Sequence, residues 1–179
     1  MSKETTLRNS KNVVYSAMFL AIGMVLPLFT AQIKEIGDTL LPMHFPILLC
    51  GLICGPWYGL GAGLMLPFFR SILFSMPPIY PNAVWMALEL ATYGFVIGIL
   101  YRKSKKTLGS IYISLVTAMI SGRIVWGLSK TLLLGLGGKP FSFGAFLAGG
   151  FLDAIPGIVI QLLLIPTLML LIQKHQNKM

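Results

Sequence analysis

The chain has 179 residues, of which 56% are hydrophobic and only 11% are charged, and its mean hydropathy is +0.82. Soluble domains carry roughly 25% charged residues, so this composition excludes a water-soluble globular enzyme. The net charge of +9 comes from basic residues that flank apolar segments, which is typical of a polytopic membrane protein and not of a nucleic-acid surface.

Six apolar segments follow one another along the chain, and each is predicted to form a transmembrane helix. Most of them have about 18 residues or more, as a hydrocarbon core of roughly 30 Å requires. The second segment is short, so it needs shielding or tilting by its neighbours. The predicted spans are 13–29, 46–54, 57–74, 82–101, 108–134 and 144–172. The expected fold is an all-α membrane protein, a single domain 1–179 with six transmembrane helices in one bundle.

The distribution of basic residues predicts the orientation of this bundle. Nine of the fourteen Lys and Arg residues lie in the tail 1–12, the loop 102–107 or the tail 173–179, whereas only Lys34 and Lys139 lie in the opposite loops. Lys and Arg accumulate in cytoplasmic loops, and an even number of spans places both ends on one side. Both termini are therefore predicted to be cytoplasmic.

Glycines recur at a spacing of four residues in the second, third and fourth spans. They are Gly51, Gly55, Gly59 and Gly63, and then Gly94 and Gly98. Small residues at this spacing let helix backbones approach closely in lipid. We therefore expect these glycines to pack the bundle internally.

Two cysteines, Cys50 and Cys54, share one face of the predicted second helix. Together with His44 they suggest a metal site, but such a site needs more ligands at suitable spacing. Two buried thiols that act as small hydrophobic residues are the interpretation we favour. Neither a metal nor a cofactor is predicted.

Ionisable residues inside the spans are the main indication of a functional site. A charged group at the bilayer centre costs at least about 2.5–3.5 kcal/mol, so each one needs a partner or a water-filled cavity. At a rise of about 1.5 Å per residue, Arg70, Glu89, Arg123 and Asp153 all fall in the outer half of the bilayer, on four different helices. They are predicted to line one site, or alternatively to form two structural ion pairs that lock the bundle.

Polar and aromatic residues at helical spacing extend this predicted site. The stripes are Asn82, Trp85, Glu89 and Tyr93 in span four, Arg123, Trp126 and Lys130 in span five, and Asp153, Gly157 and Gln161 in span six. Trp and Arg side chains can enclose a small polar molecule through stacking and charge-assisted hydrogen bonds. The predicted substrate-binding residues are Arg70, Asn82, Trp85, Glu89, Arg123, Trp126, Lys130 and Asp153. The surplus of bases favours an anionic ligand such as a carboxylate, unless Lys130 snorkels to the interface.

Local motifs add a resemblance to a known family. The first span contains Ala17-Met-Phe-Leu-Ala21, and Pro42-Met-His-Phe-Pro46 precedes the turn Gly55-Pro-Trp-Tyr-Gly59 between spans two and three. With these motifs, six spans and basic ends, the chain resembles the substrate-binding S components of energy-coupling factor (ECF) transporters, a vitamin-uptake class of bacterial ABC importers. The first motif is similar to the Ala-x-x-x-Ala through which S components dock on a T component. Such a strip lets another helix pack closely, and the alternative partner is a helix of the same chain.

This resemblance implies a mechanism and a set of partners. It implies an outward-facing pocket formed by spans four to six, capped by the loop 32–38, and toppling of the protein in the bacterial plasma membrane. A T component and two cytoplasmic ATPases would drive that motion, because the chain has no Walker A sequence. Pantothenate is the leading candidate substrate, since Arg70, Arg123 and Lys130 suit a carboxylate. The alternatives are niacin, pyridoxine or a queuosine precursor.

Two other classes of function compete with this interpretation. A membrane-embedded enzyme needs a nucleophile and base or a metal constellation within a span, and His44 and His175 are not placed to form one. A self-sufficient channel or carrier is the second alternative. Against it, the spans show no internal repeat and no pair of broken helices.

Overall fold

The structure, a computed structural model, describes residues 3–30, 40–136 and 142–176, and this part of the chain is helical apart from short turns. Its α-helices are α1 (Lys3–Thr30), α2 (His44–Ile53), α3 (Pro56–Phe74), α4 (Val84–Lys103), α5 (Leu108–Leu136), α6 (Phe143–Leu147) and α7 (Ile155–Gln176). The predicted cap 32–38 with Lys34, the loop residue Lys139 and the outermost residues of both tails lie outside the described residues.

Each predicted span coincides with helical structure, although the sixth is not one regular helix. It comprises α6, a wide π-helical turn at Ala148–Leu152, and α7. A second π-helical turn, Ile79–Ala83, precedes α4. The predicted all-α class is confirmed.

Within the described residues, four helical segments are long and apolar enough to cross a membrane. They are Asn9–Phe29, Ile79–Lys103, Leu108–Gly135 and Phe143–Lys174. α2 is a shorter apolar helix, and α3 is not among the four. Six spans with two cytoplasmic termini therefore stay a prediction that depends on α2 and α3.

The short helix α2 lies at the centre of the hydrophobic core. Ile47, Leu48 and Cys50 are fully buried, because α1, α3, α4 and α7 all pack against this helix. A helix that is apolar on every side is stable only when enclosed in this way. Cys50 and Cys54 are buried free thiols within this core, which agrees with their interpretation as small hydrophobic residues.

The junction between α2 and α3 depends on Gly55 and Pro56. Gly55 has a φ of 105°, a conformation that residues with a Cβ rarely adopt. Pro56 begins α3, where its missing N–H leaves no helical hydrogen bond unmade. Arg102 Nη2 donates a hydrogen bond of 3.0 Å to the Cys54 carbonyl at the end of α2. The chain can therefore reverse direction within two residues.

Glycines bring the backbones of α2, α3 and α4 into contact. A Cβ added at Gly51 or Gly59 would overlap the Gly94 backbone, and one added at Gly63 would lie 2.5 Å from the Leu90 backbone. The prediction that the spaced glycines pack the bundle internally is confirmed for these positions. The close approach places the beginning of α2 beside α4, which positions the site described below.

Gly94→Ala is expected to destabilise the protein by about 1–3 kcal/mol, as overpacking of a well-packed core typically does. The added methyl group would overlap the Gly59 backbone, which cannot move aside as a flexible side chain can. Thermal unfolding in detergent measures the change. Gly61→Ala on α3 is the matched control, because no described atom lies within 4 Å of a Cβ there. An equal loss of stability in both variants would contradict the packing role of Gly94.

Candidate substrate-binding site

A buried carboxylate connects three helices. Glu89 on α4 is only 2% exposed, and its Oε1 atom lies 3.0 Å from Arg123 Nη1 on α5 and 3.3 Å from His44 Nε2 on α2. Tyr93 donates a hydrogen bond of 3.2 Å to the same oxygen. These four residues, called the Glu89 cluster below, place a buried ion pair and two further polar side chains inside a largely apolar bundle.

Local sequence explains why these groups meet. Tyr93 follows Glu89 by four residues and so lies on the same face of α4. Gly122, directly before Arg123, makes room for the Tyr93 ring, since a Cβ there would lie 2.7 Å from Tyr93 Cε1. His44 is the first residue of α2 and packs edge-on against that ring at a centroid distance of 5.1 Å. Close approach of α5 to Tyr93 thus brings the guanidinium to the carboxylate.

A cavity of about 180 Å³ lies beside the Glu89 cluster, and its lining comes mainly from α5 and α7. Most of this lining is apolar, and its polar side chains are those of Tyr93, Arg123 and Gln161. A volume of about 180 Å³ is smaller than the roughly 300–1,000 Å³ of typical ligand pockets. The cavity therefore suits a compact molecule that presents hydrogen-bonding groups towards Arg123 and Gln161.

Two tryptophans enclose a lysine further along α5. Lys130 Nζ lies 4.5 Å from the centroid of the Trp126 ring and 5.4 Å from that of Trp85. The guanidinium carbon of Arg123 lies 5.8 Å from the Trp126 centroid. Trp126 thus makes cation–π contacts with both cations. The structure brings together Trp85, Glu89, Arg123, Trp126 and Lys130 from the predicted set.

The other three predicted residues lie apart from this group. Arg70 on α3 is buried and donates a hydrogen bond of 2.6 Å from Nη1 to the Met24 carbonyl on α1. Asn82 lies half-buried in the turn before α4, and Asp153 lies exposed after the π-helical turn. None of the three forms an ion pair or hydrogen bond with the Glu89 cluster within the part of the chain that is described. Their roles in substrate binding stay predictions.

Of the two structural ion pairs predicted as the alternative, the structure shows one. Glu89 and Arg123 form one, whereas Arg70 and Asp153 form no ion pair among the described residues. A count of residues along each helix gives the depth of a side chain but not the side of the helix on which it lies. Arg70 therefore has the expected position along α3, yet it contacts α1.

Sequence reasoning does not select His44, Tyr93 or Gln161 as binding residues, although two of them carry a signal. Tyr93 and Gln161 are polar positions on the predicted stripes of spans four and six. His44 has no such signal, because it begins a short segment far from Glu89 in sequence. Only the packing of α2 against α4 brings His44 to the carboxylate.

The small-residue strip of α1 faces away from the bundle. Ala17 and Ala21 are exposed, whereas Phe19 and Gly23 on the opposite side of the helix are buried. Packing of the strip against another helix of the same chain is therefore not found among the described residues. Docking of a partner on this strip stays a prediction.

Comparison with known proteins assigns the family. A protein-family model described as the substrate-specific component of ECF transporters matches residues 11–169. No curated protein and no solved structure gives a match. The matched residues include the α1 strip, the Glu89 cluster and the residues that line the cavity. The chain therefore belongs to the family of substrate-specific components of ECF transporters, which are membrane proteins of vitamin transport.

Proposed function

We propose that this S component binds a compact vitamin that carries a carboxylate, in the cavity between α5 and α7. The observation that supports this proposal is the position of Arg123, which is one of the residues that line the cavity and whose guanidinium is held by Glu89. A guanidinium has five N–H donors, so the contact with Glu89 leaves donors for a ligand. Charge-assisted hydrogen bonds from arginine are well suited to a carboxylate.

Two cations near the cavity also favour an anionic ligand. Arg123 and Lys130 are two cations, both in contact with Trp126. Among the described residues Glu89 is the buried carboxylate of this region, and it lies in an ion pair with Arg123. A carboxylate ligand would be attracted by both cations, whereas a cationic ligand would be repelled by them.

Pantothenate is the leading candidate, and nicotinate is the second. Both carry a carboxylate and further hydrogen-bond acceptors, and they differ in size and shape. A cavity of about 180 Å³ supports a compact ligand. Nicotinate, the smaller of the two molecules, therefore stays a candidate substrate together with pantothenate. Pyridoxine lacks the carboxylate and serves as the comparison ligand.

Delivery of the vitamin would depend on partners. We propose that the protein lies in the bacterial plasma membrane with both termini in the cytoplasm, and that the cavity opens to the outside. The exposed Ala17 and Ala21 strip supports docking of α1 on a T component. Two cytoplasmic ATPases would supply the energy for toppling, since the chain itself carries no Walker A sequence.

Mass spectrometry of small molecules released from the purified, denatured protein tests this proposal. We expect a single carboxylate-bearing vitamin in a ratio close to one per protein chain. Thermal unfolding with added vitamins is the companion measurement, and the same vitamin should raise the melting temperature. An empty protein that none of the vitamins stabilises would contradict the proposal and favour a channel or another class of ligand.

A further inference from the structure

Gln161 on α7 is a buried amide in an apolar environment. The residue is 3% exposed, and Nε2 has no hydrogen-bond partner among the described residues. Buried polar groups in folded proteins are nearly always hydrogen-bonded, so an unsatisfied donor requires an explanation. Gln161 is also one of the residues that line the cavity beside Arg123. An acceptor that enters this cavity would satisfy the amide.

The packing between α5 and α7 leaves space for a small molecule. α5 packs extensively against α4 but sparsely against α7. The cavity occupies part of the space between α5 and α7, with Arg123 on one helix and Gln161 on the other. A small molecule in this space would contact both helices at once. Its apolar portion would meet Met119 and Leu162, which also line the cavity.

We propose that Gln161 is a specificity-determining residue of the substrate site, where its amide donates a hydrogen bond to a substrate acceptor while Arg123 contacts the carboxylate. This inference rests on the proposed function and makes it more specific. The substrate class is a small molecule with a carboxylate, a second acceptor such as a carbonyl oxygen or ring nitrogen, and an apolar portion. A molecule with a carboxylate alone would leave the Gln161 donor unsatisfied and bind more weakly.

Titration calorimetry of the purified full chain with pantothenate, nicotinate and pyridoxine tests the role of Gln161. Gln161→Leu should weaken binding of the preferred vitamin at least tenfold, equivalent to about 1.4 kcal/mol. The melting temperature of the vitamin-free variant should be unchanged or higher, because the substitution removes a donor that has no described partner. Gln161→Glu should weaken carboxylate binding further, since an ionised carboxylate in place of the donor repels the ligand.

Gln173→Leu on the same helix is the matched control. Gln173 lies twelve residues beyond Gln161, and its Nε2 donates a hydrogen bond of 2.6 Å to the Tyr101 hydroxyl. This variant should lose thermal stability and keep its vitamin affinity, the reverse of Gln161→Leu. The two glutamines thus separate a binding role from a structural one.

The possible outcomes separate a failure of the inference from a failure of the proposed function. If a carboxylate vitamin binds the wild type and Gln161→Leu equally well, the inference is overturned and the proposed function stands. If pyridoxine alone binds and Gln161→Leu weakens it, the carboxylate proposal fails and the role of Gln161 stands. If none of the three vitamins binds, small molecules released from the wild type and from Gln161→Leu are compared by mass spectrometry. A molecule that the wild type retains and Gln161→Leu lacks supports the inference. Equal recovery from the two proteins, or no recovery from either, overturns the inference.

Discussion

Arg123→Ala is expected to weaken vitamin binding at least tenfold, about 1.4 kcal/mol, and to lower the stability of the protein at the same time. Binding falls because Arg123 lines the cavity and supplies the cation for the carboxylate. Stability falls because Glu89 is buried and loses its closest cationic partner, and breaking a buried ion pair on one side typically costs about 3–5 kcal/mol. Titration calorimetry and thermal unfolding in detergent measure the two effects.

A double variant separates binding from stability. Glu89→Gln combined with Arg123→Met removes both charges, so no unpaired buried charge remains, and stability should recover much of the loss. The amide introduced at position 89 would still accept the hydrogen bond from Tyr93 through its carbonyl oxygen. Carboxylate binding should stay lost, because the guanidinium is absent. Wild-type affinity in this double variant would show that Arg123 has only a structural role.

Ala17→Trp and Ala21→Trp are each expected to abolish assembly with the T component and vitamin uptake, while vitamin affinity stays unchanged. The physical reason is steric, since an indole ring on an exposed small-residue strip keeps a partner helix away. The strip lies on the side of α1 opposite to Phe19 and Gly23, which pack into the bundle. Co-purification with the T component, uptake by cells and titration with the identified vitamin measure the three properties.

Leu163→Trp on α7 is the control for added bulk. Leu163 is 62% exposed, and it lies on a different helix from the strip, so the same ring there should leave assembly and uptake intact. Normal uptake by both alanine variants would remove the docking proposal. Loss of uptake in the Leu163 variant as well would indicate a general effect of bulky residues on the membrane-facing surface.

The positions of the helices could be predicted from the sequence because they follow from local properties. Length and hydropathy locate the apolar segments, and Gly55 and Pro56 mark the turn between α2 and α3. Helical spacing also predicts that Trp126 and Lys130 lie on the same stripe as Arg123, and the structure agrees. These features involve residues within one helix or one turn.

The surroundings of Asp153 show what such reasoning does not include. A depth estimate assumes a regular helix from the start of the sixth span, whereas the π-helical turn Ala148–Leu152 interrupts it before α7. Asp153 follows that turn and is exposed. Arg70 lies apart from the Glu89 cluster for another reason, because its guanidinium donates a hydrogen bond to the Met24 carbonyl on α1. Neither the interruption nor the identity of the neighbouring helix can be derived from the spacing of residues.

The sequence by itself thus determined the all-α class, the helices and the family, since composition, hydropathy and short motifs are properties of the chain. The tertiary structure decided which polar groups meet. Gly51, Gly59 and Gly94 let α2 and α3 approach α4, and this approach brings His44 to Glu89. Side-chain partners depend on how helices rotate and pack against one another, and that arrangement results from contacts between distant segments. The same packing leaves a cavity between α5 and α7 with Gln161 in its wall.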